Sequence, residues 1–162
     1  MAAARNYNGF SLIEVLIAVV LVGLSITALV VASGSFTQAN SVGADLSTAE
    51  FLVEQVRELT TLLPIVDPQT TTATFGPEEA NLASYDDIDD FDTATFSPPI
   101  GANRATLGDL AGFSQEVTVQ NIDASNFDLV VADHSSAFLR IIVNVRHNGE
   151  LVSSASWIRA RY

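Results

Sequence analysis

Apolar and polar positions follow three different rhythms along the chain. From Val15 to Ala32 no charge interrupts a run dominated by Val, Leu, Ile and Ala, long enough at ~1.5 Å per residue to cross most of a hydrocarbon core. Downstream, Leu46, Ala49, Leu52 or Val53, Val56, Leu59 and Leu63 recur at spacings of three and four, while Glu50, Glu54, Arg57 and Glu58 fall on another side. Pro64 ends this pattern, so one helix is predicted from Phe10 to about Leu62, about 80 Å long. Gly23, Ser25, Gly34 and Gly43 are its weak points or, equally, places of close helix contact.

The third rhythm has period two. FSQEVTVQNI alternates over 113–122, and FLRIIVNVRHNGELVSSASWIRARY reads as two strands joined by Asn148-Gly149, the favoured pair for a type I′ hairpin. Regular pairing from that turn sets Val145 opposite Val152 and Arg140 opposite Trp157. Leu139, Ile141, Val143, Val145, Val152 and Ile158 then face the helix, and Arg140, Ile142, Arg146, Leu151, Trp157, Arg159 and Arg161 face away. Residues 64–112 hold all five prolines, a TTTATF stretch and the acidic run SYDDIDDFD, and read mostly as loop. Within it Tyr85, Ile88 and Phe91 recur at intervals of three, which predicts a short helical turn pinning the loop to the rest. The chain thus divides into a polar leader (1–9), a spanning helix (10–33), its amphipathic continuation (34–63), an acidic loop region (64–112) and an antiparallel sheet (113–162), an α+β arrangement.

At 162 residues the chain suits one modest domain and a tail. Its net charge is −12, with seven arginines and no lysine, which disfavours nucleic acid as a partner for the whole surface. The absence of cysteine excludes disulfides, thiol chemistry and Cys-based metal sites. Neither His134 nor His147 has a nucleophile or second ligand at a recognisable spacing, and no serine sits in a Gly-x-Ser-x-Gly elbow. An enzyme is not expected, and no cofactor is implied apart from a Ca²⁺ ion on the acidic run.

The leader MAAARNYNG carries Arg5 and no acid, so the positive-inside rule keeps the N-terminus cytoplasmic and places the residues after the span across the membrane. A secretory signal has its cleavage site after the apolar run; here the polar junction comes first. Inside the apolar stretch stands Glu14. A carboxylate isolated in hydrocarbon costs several kcal/mol and must find a partner or a proton. The plainer alternative is a glutamate snorkelling to the cytoplasmic face of an ordinary single-span anchor.

The stretch GFSLIEVLIAVVLVGLSITALV resembles the N-termini of type IV pilins, minor pilins and type II secretion pseudopilins. The resemblance implies a pilin fold, with a long N-terminal helix on a small antiparallel sheet. It also implies cleavage after Gly9 by a membrane aspartyl prepilin peptidase and N-methylation of Phe10. In such a filament Glu14 of one subunit meets the Phe10 amine of the next, so that a charge pair sets register. Partners implied are that peptidase, an inner-membrane assembly platform and other pilin subunits. The precursor is then a single-pass inner-membrane protein, and the product a periplasmic or extracellular filament. The short head and the missing cysteine pair lean towards a minor pilin or pseudopilin, with a DNA-uptake pilin and a non-assembling anchored domain as alternatives.

Two further groups carry candidate chemistry. Asp86, Asp87, Asp89, Asp90 and Asp92 offer hard oxygen ligands that suit Ca²⁺, against the alternative of a solvated acidic loop. Arg140, Arg146, Arg159 and Arg161 share the outer sheet face with Trp157 in regular register, where Arg140 can stack on the indole for about 0.5–1 kcal/mol. That stripe suits contact with acids of this chain or of a neighbouring subunit better than DNA, because a chain cut after Gly9 keeps six arginines against 19 acids.

Overall fold

The computed structural model describes residues 9–68 and 75–161; most of the leader, including Arg5, and most of the TTTATF stretch lie outside the described residues. The first helix, α1, runs unbroken over Leu12–Thr61. Gly23, Gly34 and Gly43 do not interrupt it. Hydroxyls along it are absorbed by its own backbone: Ser25 donates to the Leu21 carbonyl at 2.8 Å and Thr27 to that of Gly23 at 2.9 Å. This back-bonding lets polar residues sit in an apolar stretch without a partner from outside.

The chain forms two compact units, Met1–Gly43 and Ala44–Tyr162. In the first, every described residue is exposed, including the large apolar side chains from Phe10 to Val42. Its helix is long and apolar enough to cross a membrane. In the second, Ala49, Leu52, Val53, Val56 and Leu59 of α1 are buried in the core, as the three-and-four spacing predicts, while Leu46 stays exposed.

The sheet is an antiparallel meander of β1 (Thr95–Phe96), β2 (Phe113–Asn121), β3 (Phe138–His147) and β4 (Glu150–Ala160), in that order. Alternate residues of the central strands, Val117, Val119, Leu139, Ile141, Val143 and Val145, are buried against the helix residues. Strand β1 lies inside the segment read as loop; two residues are too few to show a period. Its pairing of Thr95 with Glu116 and Phe96 with Gln115 makes part of 64–112 sheet. Asn148 and Gly149 both have positive φ, 51° and 87°, as a type I′ turn requires.

The register beyond that turn corrects the sequence reading. Arg146 pairs with Leu151 but Val145 pairs with Ser153, so Val152 is an extra residue, a β-bulge. All later partners slip by one: Arg140 faces Ile158, Ile141 faces Trp157 and Leu139 faces Arg159. Trp157 and Arg159 therefore turn to the helix side and Ile158 to the outside. Val152 still packs against the core, as expected.

The acidic loop enters the core through Ile88 and Phe91, both fully buried, with Asp89–Phe91 forming a single turn of 3₁₀ helix. Tyr85 meets Phe91 edge to face at 5.1 Å between ring centroids. The interval of three residues marked this turn in the sequence.

Candidate functional site

At the N-terminal end of α1, Gly9, Phe10 and Ser11 precede the helix and Phe10 is 84% exposed. Ser11 and Glu14 cap it reciprocally. The Glu14 amide donates to Ser11 Oγ at 3.2 Å, and the Ser11 amide donates to Glu14 Oε2 at 3.4 Å. This is a capping box, a function of the Ser-x-x-Glu spacing that the sequence reading missed. The carboxylate thus has a partner in its own chain and lies where the helix dipole favours negative charge. Beyond it Val15, Ala18, Val19 and Val22 continue an apolar surface that also includes Phe10.

The arginine stripe is not assembled on one face. Arg159 points to the C-terminal end of α1, where Nη1 donates to the carbonyls of Thr60 and Thr61 at 2.8 and 2.6 Å. Those carbonyls lack intrahelical donors, and a cation at a helix C-terminus also opposes the dipole. Trp157, half-buried, receives Arg57 over its ring at 4.9 Å in place of Arg140. Arg140 instead bonds the carbonyl of Phe127. Arg146 pairs with Glu116 at 2.8 Å on the outer face, an acid of the same chain. Arg161 is exposed past the end of β4. His147, read as a surface residue, stacks on Phe113 at 4.2 Å and bonds Asp45 at 3.3 Å, joining the hairpin to the helix.

The acidic run is likewise rearranged, and it is not solvated: Asp87, Asp89 and Asp90 are fully buried. The Asp90 amide donates to Asp87 Oδ1 at 3.1 Å, and Asp90 Oδ2 accepts from the Asp86 and Asp87 amides at 2.8 and 3.3 Å. Asp89 Oδ2 accepts from the Gly76 amide at 3.3 Å. Asp92 turns away and accepts from Val119 of β2 at 2.8 Å. The five aspartates thus do not converge on one point. The carboxyl oxygens that do converge among the described residues belong to Glu78, Glu79 and Asp90, within 4.8 Å of one another. Neither glutamate was singled out from the sequence, where Glu78-Glu79 stands apart from the aspartate run.

Burial and like charge set the protonation of this cluster. Burial, then the Asp89 charge, pushes the Asp87 carboxyl up to about 8, and burial raises Asp89 to about 6. Contact with the Asp90 carboxyl, followed by burial, raises Glu79 to about 7. Burial also raises Glu78 and Tyr85.

The exposed apolar helix behind a capped N-terminus and the antiparallel sheet on its second half define a membrane-anchored α+β protein. Residues 4–30 match the family model described as the prokaryotic N-terminal methylation motif. The chain therefore carries the prepilin-type motif of type IV pilins and pseudopilins, and its long apolar helix with a four-stranded antiparallel sheet is consistent with an α+β pilin fold. No curated protein and no solved structure matches the chain. The motif implies processing by a prepilin peptidase and assembly with other pilins, and proteins that carry it are structural subunits.

Proposed function

We propose that this chain is a minor pilin or pseudopilin, a structural subunit of a type IV pilus-like or type II secretion filament. Cleavage after Gly9 and N-methylation of Phe10 prepare it for assembly. The observation that carries the reading is the exposed apolar surface that starts at Phe10 and continues along the first part of α1 to Val42, beginning within the matched motif. Such a surface is stable only in lipid or against other apolar helices. In the membrane the helix anchors the precursor, and in a filament the same surface is covered by neighbouring subunits. Glu14 then exchanges its bond to the Ser11 amide for the Phe10 amine of an adjacent subunit, so that register depends on a neutralised pair. The loop region 64–112 and the outer sheet face are left to meet partners.

Intact-mass and terminal-peptide analysis of the protein from its native cells tests this. A chain that begins at methylated Phe10 is expected. A chain still beginning near Met1 in cells with active peptidase leaves a single-span anchored protein instead. Replacing Glu14 by Ala should leave cleavage intact and abolish incorporation into filaments; unchanged incorporation removes the role given to its carboxylate.

A further inference from the structure

Strand β4 ends the sheet, and among the described residues no strand pairs with its far edge. It has 11 residues, whereas β1 at the opposite edge has two. The backbone donors and acceptors along such an edge are a template for a further strand. Proteins commonly blunt an edge with proline or charge, and the stretch LVSSASWI, 151–158, contains neither. The bulge at Val152 bends the strand, and its side chain packs on the core.

The strand itself specifies the occupant, because its residues mirror one another about Ala155. Glu150 and Arg159 stand at the ends, Leu151 and Ile158 inside them, and Ser153, Ser154, Ala155 and Ser156 at the centre. A second copy laid antiparallel, with Val152 left out of the ladder as it is towards β3, pairs Ala155 with Ala155 and Ser154 with Ser156. Ser153 then meets Trp157, Leu151 meets Ile158, and Glu150 meets Arg159. Every pair joins residues of the same face. Leu151 and Ile158 lie outward, opposite Arg146 and Arg140 of β3, and at 53% and 40% exposed each covers the other. Glu150 and Arg159 lie on the helix side, opposite His147 and Leu139 of β3. Arg159 is held there by the carbonyls of Thr60 and Thr61, so its charge is fixed where the partner's acid arrives, twice about the axis. A register that ignored the bulge would set Leu151 against Arg159, from opposite faces.

We propose that the free edge of β4 is a docking site for a second copy of this chain, joined antiparallel about Ala155 into one continuous sheet. The twofold axis stands normal to the sheet, so the helix segments packed on the two sheets run in opposite directions. Helices that bundle side by side from one membrane run the same way. The contact therefore joins heads of separate assemblies, and it stands whether or not the chain is cleaved after Gly9.

The test uses the full-length chain in excess detergent, which keeps the apolar helices in separate micelles. The chain has no cysteine, so single introduced cysteines report the pairing. Ala155→Cys should give a covalent dimer on mild oxidation, because directly opposed residues lie about 4.5–5.5 Å apart at Cα. Ser154→Cys and Ser156→Cys, at exposed positions, should each stay monomeric alone, two residues out of register at about 7–8 Å, yet cross-link to each other when mixed. Ile158→Lys in the mixed pair should lose the cross-link, and adding Leu151→Glu to the same chains should restore it. Along one strand these two positions are about 20 Å apart, so that rescue acts only between copies. A monomer throughout overturns the proposal, and so does equal cross-linking of each cysteine variant alone and mixed. An unchanged yield with Ile158→Lys, or a loss that Leu151→Glu does not restore, overturns it too.

Discussion

The guanidinium of Arg57 on α1 lies over the indole of Trp157 on β4, 4.9 Å from the ring centroid. A one-residue bulge at Val152 makes this contact, because regular pairing would turn the indole to the other side of the sheet. A double-mutant cycle on Arg57→Ala and Trp157→Leu should give a coupling of about 0.5–1 kcal/mol in urea unfolding, and the same cycle on Arg140 and Trp157 should give none.

Arg159 acts on stability and not at an outer surface. Replacing it by Ala removes two bonds to the last carbonyls of α1 and should cost about 1–2 kcal/mol. Arg161→Ala, at an exposed position, should change stability by less than about 0.5 kcal/mol. Equal effects in thermal unfolding would contradict the placement of Arg159.

Gln115 is a buried polar hub. Its side chain donates to the carbonyls of Leu52 and Ile100 at 2.8 and 3.1 Å and accepts from the Ile100 amide at 2.8 Å. Gln115→Leu strands the Ile100 amide and should destabilise the head by about 2 kcal/mol in chemical denaturation.

Phe91 fills the core from within the acidic loop. Phe91→Ala should cost about 3–5 kcal/mol, and limited proteolysis should then cut between 76 and 96 first.

With divalent ions chelated, the head should become more stable as pH falls from 8 to 5. Asp87 and Glu79 carry folded values of about 8 and about 7, above their ordinary values of 3.8 and 4.5, so the folded state binds these protons more tightly. The stabilisation is complete below about pH 4 and is lost as pH rises through 7 to 8. Thermal unfolding across this window in EDTA measures it; a melting temperature that rises with pH there contradicts the buried arrangement.

Much of this architecture was legible because it depends on neighbours in the chain. Helix α1, its end before Pro64, the spacing of Ala49, Leu52, Val53, Val56 and Leu59, and the Asn148-Gly149 turn all follow from local rules of period, capping and backbone sterics. The N-terminal methylation motif matched over residues 4–30 was equally legible, since such a motif is read as an extended string. The Ser11–Glu14 capping box was there to be read from spacing alone.

What the tertiary structure alone decided are relations between distant segments. One extra residue in β4 exchanges the two faces of the strand, and nothing in ELVSSASWIRA marks Val152 as that residue, because serine and alanine are tolerated on either side. Burial of Asp87, Asp89 and Asp90 is similarly invisible in a run that reads as solvated. It arises from Ile88 and Phe91 drawing that turn into the core, while Asp90 stays within reach of the exposed Glu78 and the partly buried Glu79. Local free energies thus set which elements form, while register and carboxylate burial depend on the sum of contacts that the packed head makes as a whole.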